Sequence, residues 1–321
     1  MEIDTRFPIK LNTVSDVPEP LRSALLKGLP SEEPVRLLVH APAFSSGDEI
    51  TPATVFAVTD NVWLVASETK EGSAALIKSE FGDTLFLEIR TILLSGQLRI
   101  SFASGDALHS VPIKFESVED ECYLEAIHLI LAAIDPAHSA VAGKDQHEAS
   151  EFEGWPMKFR NEVQRYWGRS GRLLVAPHWP AVVDESQQQL APAGALAITE
   201  RDLVLISDER APEPTEEVVS GETPSETPFV PDLEKTGVEL SNLPADVYEF
   251  GEKITVVPRV RLADFQVSHQ ESGVLALQLR ASRGEQKLEI TLPSDHEEAV
   301  LKGMEQMMPS RTSANPTKKR R

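Results

Sequence analysis

The alternation of apolar and polar residues repeats itself along the chain. Residues 52–68 contain two runs of apolar and β-branched residues separated by a short polar break, and residues 192–209 contain the same arrangement. Such a pattern is typical of a β-hairpin. Three positions recur at a constant offset of 140, namely Pro52, Thr59 and Ser67 against Pro192, Thr199 and Ser207. Because internal repeats mark repeated structural units, the sequence predicts a tandem duplication.

The segments that follow each hairpin also correspond. An alternating pattern typical of a half-buried strand appears in both copies, at Val111, Ile113 and Phe115 and again at Leu288, Ile290 and Leu292. A helical pattern comes next in each copy, and predicts helices over 118–134 and 295–308. The motif Phe81-Gly82-Asp83 is matched to Phe250-Gly251-Glu252. We expect four hairpin residues to lie in the two cores: Trp63, Leu64, Leu203 and Leu205.

The helix starts carry a capping signal. Ser117 stands three residues before Asp120, and Ser294 three before Glu297, which is the spacing of a capping box. We therefore expect the Ser117 oxygen to accept a backbone N–H at the start of the first of these helices.

The predicted organisation is two units with a linker between them. The first unit covers 18–135 and the second 155–308, and residues 136–154 are small and polar, as in an interdomain linker. The second unit carries an acidic, proline-rich insertion at 210–245, predicted to be disordered. Residues 309–321 form a basic tail, also predicted to be disordered, that ends in four consecutive cations.

Charge and composition restrict the classes of function. The formal net charge is −20, and residues 207–250 alone carry twelve acids against two cations, a net of −10. An acidic chain argues against broad nucleic-acid affinity, which rests on cations that neutralise phosphates. With a single cysteine, no signal peptide and no long apolar run, the sequence predicts a cytoplasmic protein with no transmembrane segment.

Motifs that carry catalytic chemistry are absent from the sequence. It contains no G-x-S-x-G, no phosphate loop, no G-x-G-x-x-G and no H-E-x-x-H. One cysteine excludes a cysteine-rich zinc site, and Cys122 is interpreted as a small residue at a helix boundary. The sequence therefore predicts no catalytic residue, no metal site and no cofactor.

A basic, aromatic helix is the main candidate for binding. Between Trp155 and Arg172 the net charge is +4, and the candidate binding residues are Lys158, Arg160, Arg165, Trp167 and Arg169. A helix of this kind binds lipid headgroups, nucleic acid or an acidic peptide. The favoured alternative is structural, with the aromatic residues packed on a sheet and the arginines paired with the protein's own acids. The acidic insertion is interpreted as a solvated loop, or as a segment that masks this helix.

The arrangement resembles the bacterial pleckstrin-homology-like (PH-like) domains, including the group related to GRAM domains. The resemblance rests on the hairpin at 195–206, the strand pair that ends at 272–275, and the final helix. A Thr-Asp-x-Arg turn is common in that family, and the second copy approximates it with Thr199-Glu200-Arg201. The first copy has Thr59-Asp60-Asn61 and lacks the arginine.

This resemblance implies a mainly β (α+β) fold. It would consist of two tandem PH-like β-barrel or β-sandwich units, each closed by a C-terminal amphipathic helix. A generic pair of small barrels or sandwiches is the alternative. PH-like folds bind both lipids and proteins. The early loops here are acidic or neutral and would repel phosphate headgroups, so a protein or peptide partner is favoured over anionic lipid.

The predicted role is a non-catalytic binding or scaffold protein. Three alternatives stay open: an enzyme with a site in the interdomain cleft, a self-assembling structural subunit that uses its sheet edges, and an anionic-lipid-binding module. The sequence gives neither the identity of the partner nor the oligomeric state.

Overall fold

The chain folds mainly as β-strands, with a small number of helices packed on them. The structure is a computed structural model that describes residues 7–30, 33–46, 49–105, 107–117, 120–136, 152–167, 171–186, 188–210, 250–270, 273–283 and 287–308. The helices are α1 (Leu21–Gly28), α2 (Glu121–Ile134), α3 (Met157–Trp167) and α4 (Glu297–Met307). The prediction of a mainly β chain is confirmed.

Each half of the chain contributes a similar series of strands. In the first half they are β1 (Ile9–Lys10), β2 (Leu37–Ala41), β3 (Phe44–Ser46), β4 (Glu49–Thr51), β5 (Thr54–Val58), β6 (Val62–Glu68), β7 (Ala74–Glu80), β8 (Thr84–Ile92), β9 (Ser95–Ser104) and β10 (Ala107–Glu116). In the second half they are β11 (Leu173–Val175), β12 (His178–Trp179), β13 (Val182–Val183), β14 (Gln189–Ala191), β15 (Gly194–Thr199), β16 (Asp202–Arg210), β17 (Phe250–Pro258), β18 (Leu262–His269), β19 (Val274–Ala281) and β20 (Lys287–Pro293).

Three main sheets result from these strands. The first is five-stranded, in the order β1-β2-β5-β6-β7. The second is eight-stranded, in the order β10-β9-β8-β17-β16-β15-β11, with β12 also paired to β15. The third has the order β18-β19-β20. The hairpins predicted from the sequence are β5–β6 and β15–β16.

The eight-stranded sheet joins the two halves of the chain. Strand β8 of the first half pairs antiparallel with β17 of the second, from Gly251 opposite Ile92 to Val256 opposite Leu87. The consecutive strands β7 and β8 are separated by a 3₁₀ helix at Phe81–Asp83 and lie in different sheets. Because the edge of β8 pairs with β17, this edge is not available to close the strands of the first half into a barrel. The described strands form no closed barrel, so the barrel form of the prediction is wrong.

Two sandwiched cores lie between these sheets. The first half packs its five-stranded sheet against β8, β9 and β10, with α2 contributing Tyr123 and Ile127. The second core lies between the eight-stranded sheet, the three-stranded sheet and α4. The four predicted core residues are buried: Trp63, Leu64 and Leu203 are 0% exposed and Leu205 is 8% exposed. Leu64, however, lies in neither of these two cores.

Helices α1 and α3 lie on the outer faces of corresponding hairpins. Leu21 and Leu25 of α1 join a separate cluster with Leu64 of β6. Helix α3 packs on β15 and β16 and also touches α2. Each half thus places one helix outside its hairpin and a second helix at the end of its strands.

The turns of the two hairpins have the same internal hydrogen bonds. The Thr59 hydroxyl donates to the Val62 carbonyl at 3.0 Å and accepts from the Val62 N–H at 3.1 Å. The Thr199 hydroxyl does the same with the Asp202 carbonyl and N–H, at 3.0 and 2.8 Å. The threonines that recur in the sequence therefore close equivalent turns.

Two local expectations are wrong. Phe81, Gly82 and Asp83 form a 3₁₀ helix, whereas Phe250 and Gly251 begin strand β17, so these motifs are not structural equivalents. The 3₁₀ helix that occupies the corresponding place in the second half is Arg259–Arg261. Matching by two residue types misplaced the strand, because a strand start and a turn both accept Phe-Gly.

The capping expectation at Ser117 also fails. The Ser117 hydroxyl donates to the Leu93 carbonyl at 2.8 Å, and the N-cap of α2, Asp120, makes no side-chain cap hydrogen bond. The serine therefore ties the end of β10 to the β8–β9 turn, and its hydroxyl proton is used there instead of at the helix start.

Most of the predicted linker and insertion, and all of the predicted tail, lie outside the described residues. Phe152, which the sequence placed at the end of the linker, is 1% exposed and packs against Trp155 with ring centroids 4.7 Å apart. Arg210, the first residue of the predicted insertion, is the last residue of β16. Residues 211–249 and 309–321 are not described.

Candidate functional site

Helix α3, the candidate binding helix, is amphipathic and its apolar side is buried. Phe159, Val163 and Tyr166 recur at helical spacing and are 0–3% exposed. The Trp155 indole N–H, just before the helix, donates to the Ala176 carbonyl at 3.2 Å. Burial of three large side chains and one anchored indole fixes the helix on the sheet, so these aromatic residues belong to the core.

Two of the predicted binding cations contact acids of the same chain. Lys158 Nζ lies 2.6 Å from Asp208 Oδ1 on β16. The Arg165 guanidinium lies 2.9 Å from Asp120 at the start of α2 and 3.1 Å from Glu162. These contacts raise the pKa of Arg165, although burial opposes the effect. Lys158 and Arg165 therefore tie α3 to neighbouring elements.

Arg160 lies on a different side of α3. It is two residues from Lys158, hence about 200° around the helix, since successive residues are about 100° apart. Arg160 is half-buried and makes no ion pair or side-chain hydrogen bond within the described residues. Met157 at the helix start is 68% exposed. The Trp167 side chain and all of Arg169 lie outside the described part.

A group of carboxylates beneath α3 was not predicted from the sequence. Glu252 on β17 is the register partner of Asp208 on β16. Glu252 alternates with Ile254 and Val256, both 2% exposed, and so shares their side of the sheet. We call Glu162, Asp208 and Glu252, together with Lys158 and Arg165, the charged cluster.

Burial makes the charged cluster sensitive to protonation. Loss of solvent around the Glu252 carboxyl, reinforced by the negative charge of Glu162, raises its pKa to about 7. Burial also raises the pKa of Glu162, while Arg165 opposes that rise. The cluster therefore changes charge near neutral pH, when the Glu252 carboxyl gains or loses its proton.

The sequence did carry one signal for Glu252. Glu252 alternates with Ile254 and Val256, and alternate residues of a strand lie on the same side of the sheet. An acid on the same side as two apolar residues is unusual, and this is the signal. What the sequence lacked was the cover over this position, because α3 is about 90 residues away along the chain.

The turn that carries the PH-like resemblance is held by ion pairs. Arg172 Nε lies 2.9 Å from Glu200 Oε1, and Arg201 lies 3.4 Å from Asp135 of the first half. In the first half, Arg36 Nε lies 2.6 Å from Asp60 Oδ1. These residues therefore fix the turns, and Arg201 also connects the second hairpin to the end of α2.

The surface beside the first hairpin turn is acidic. An open depression there is lined by Glu33, Asp60 and Glu80, with Lys78 as its cation. The Lys78 ammonium donates to the Gly28 carbonyl at 2.9 Å. A phosphate group placed in this depression would meet three carboxylates.

The described residues contain no group of three or more His, Cys, Asp and Glu side chains arranged to hold a metal ion. None of the helices in that same part of the chain has the length and apolar content needed to cross a bilayer.

A scan against models of known protein families found no match, and a search of curated proteins found no similar sequence.

Proposed function

We propose that this chain is a non-catalytic, cytoplasmic binding or scaffold protein with two PH-like units that arose by tandem duplication. The observation that carries the proposal is the matched pair of hairpin turns, in which Thr59 and Thr199 make the same two hydrogen bonds. The order of elements supports it further. In both halves an outer helix, a hairpin, a third strand, a 3₁₀ helix, three strands and a final helix follow one another.

The outward side of α3 is the proposed binding surface. There the guanidinium of Arg160 is free of acids of the described chain, and the apolar Met157 side chain is exposed beside it. A cation next to an exposed apolar group suits an acidic protein segment that also carries an apolar residue. Anionic lipid fits less well, because Lys158 and Arg165 are already paired with carboxylates.

Binding of a defined probe tests this proposal. The probe is a fluorescent glutamate-rich peptide with one leucine, and its anisotropy is measured with the wild-type protein, with Arg160→Glu and with Arg99→Glu. Arg99 is an exposed arginine on β9, away from α3, and serves as the matched control. We expect Arg160→Glu to weaken binding at least about tenfold and Arg99→Glu to have little effect.

Three outcomes decide the matter. Equal loss in the two variants would show non-specific charge attraction and would contradict the assignment to α3. No binding by the wild-type protein would remove the proposed surface. Vesicles that contain phosphatidylserine form a separate arm, and binding to them that depends on Arg160 would favour the lipid alternative.

A further inference from the structure

The two halves of the chain are joined by pairing of strand edges. Strands β8 and β17 pair antiparallel over six consecutive residue pairs. The pair at the centre is Ile89 opposite Ile254, which are 3% and 2% exposed. The junction thus combines backbone hydrogen bonds with an apolar contact on the core side of the sheet.

Each strand of this junction has an equivalent in the other half. Strand β7 follows the first hairpin as β17 follows the second, and Glu80 pairs with Val62 as Pro258 pairs with Asp202. Strand β18 follows its 3₁₀ helix as β8 does. Both equivalences have an offset of 178 residues, so Leu76 corresponds to Ile254 and Val267 to Ile89.

The outer edges of β7 and β18 have no strand neighbour in the described part of the chain. Each is the last strand of its sheet. The side chains of Ala75, Ile77, Gln266 and Ser268 along these edges are exposed. Leu76 and Val267, the equivalents of the central pair of the junction, are half-buried.

The hydrogen-bonding phase of both edges fits the same pairing. In an antiparallel sheet the N–H and C=O groups of alternate residues point to the same side. Thr69 N donates to the Ser73 carbonyl, and Phe81 N to the Asn61 carbonyl, so the backbone of Leu76 and its alternate neighbours points outward. Gln270 N donates to the Val274 carbonyl, which in the same way leaves the backbone of Val267 pointing outward.

Two other edges of these sheets, β10 and β20, carry a proline. Strand β10, at the end of the eight-stranded sheet, carries Pro112 in its middle, and β20 ends at Pro293. Proline removes a backbone donor and is a common protection of an edge strand. Strands β7 and β18 contain no proline.

We propose that a second copy of this chain pairs its β7 with β18, in the antiparallel register that β17 uses on β8. Leu76 of one copy then lies opposite Val267 of the other, and Ala75 lies opposite Ser268. The contact is heterologous, because different edges meet, and each added copy leaves one β7 and one β18 open. Such contacts give rings or open head-to-tail chains. This inference is independent of the proposed binding surface on α3.

Disulfide trapping tests the register. In a Cys122→Ser background, a chain with Ala75→Cys is mixed with a chain with Ser268→Cys under mild oxidation. Opposite residues of an antiparallel pair lie about 4.5–5.5 Å apart at Cα, within the range of a disulfide. We expect a mixed dimer of twice the chain mass. The matched control pairs Ala75→Cys with Gln266→Cys, two residues out of register on the same face, and we expect at least about fivefold less dimer.

Light scattering over a range of concentrations tests the assembly itself. The wild-type mass should rise with concentration, whereas Val267→Pro, which removes one outward donor of β18, should stay at the monomer mass. Glu289→Pro places a proline on the exposed edge of β20 and should behave as wild type; circular dichroism checks that each variant is folded. A wild-type protein that stays monomeric, equal trapping in both registers, or loss of assembly in Glu289→Pro would each overturn the proposal.

Discussion

Replacement of Glu252 by glutamine should remove part of the pH dependence of stability. A glutamate carboxyl ordinarily has a pKa of 4.5, and in the folded chain the pKa of Glu252 is raised to about 7. The folded state therefore binds the proton more tightly than the unfolded state does. Stability from this group is fully present at low pH and is lost as the pH rises from about 4.5 to about 7.

The size of the effect follows from the position of the carboxyl. One unit of pKa corresponds to about 1.4 kcal/mol, so the full shift would correspond to about 3 kcal/mol. Glu252 is only half-buried, and solvent screens its interaction with Glu162. We therefore expect the unfolding free energy of the wild-type protein to fall by about 1–2 kcal/mol over this range on account of Glu252.

Urea unfolding followed by tryptophan fluorescence, at several pH values from about 5 to about 8, measures this contribution. The informative quantity is the difference between wild type and Glu252→Gln at each pH, because titrating groups that do not interact with Glu252 contribute equally to both. Glu305→Gln, at an exposed position of α4, is the control and should follow the wild type. Parallel stability curves for wild type and Glu252→Gln would refute the argument.

The remaining predictions concern the second core and the acidic segment. Leu205→Ala, which truncates a side chain of the second core, should lower the free energy of unfolding by about 2–5 kcal/mol, and an unchanged melting temperature would contradict its strand assignment. Replacement of residues 211–249 by an Asn-Gly turn should leave the chain folded, since Arg210 and Phe250 are register partners. If that segment masks α3, the shortened protein should bind a polyanionic probe more tightly than the full-length protein, with a gain that shrinks as salt rises. Equal affinity of the two proteins at both low and high salt would refute masking.

The local sequence pattern predicted the hairpins and helices better than it predicted which strands pair with one another. The runs around Thr59 and Thr199 fold as hairpins, since alternation of apolar residues and a short polar turn are local properties. The pairing of β8 with β17 could not be predicted, because it joins residues about 160 positions apart and no periodicity encodes the choice of neighbour. That choice decides whether each half closes on itself or the two halves share a sheet.

The prediction of the candidate site was limited by the same lack of long-range information. The net charge of +4 around α3 can be counted from one continuous stretch of sequence. Asp120 and Asp208, the acids that face it, come from the start of α2 and from β16, which are distant in the sequence. The structural alternative for the arginines therefore holds for Arg165. It does not hold for Arg160, which makes no ion pair within the described residues because it lies on a different side of the helix.

The charged cluster lies at the root of the acidic segment. Asp208 and Glu252 are register partners two positions inside Arg210 and Phe250, the last described residues on either side of 211–249. Both ends of a segment with ten acidic residues against one cation therefore begin next to Lys158 and Glu252. Because the segment is tethered at this point, we expect it to raise the local concentration of carboxylates near α3. The protonation of Glu252 changes the negative charge that Lys158 and Arg165 meet, and we predict that the acidic segment adds to that charge, because both of its ends start beside the same two cations.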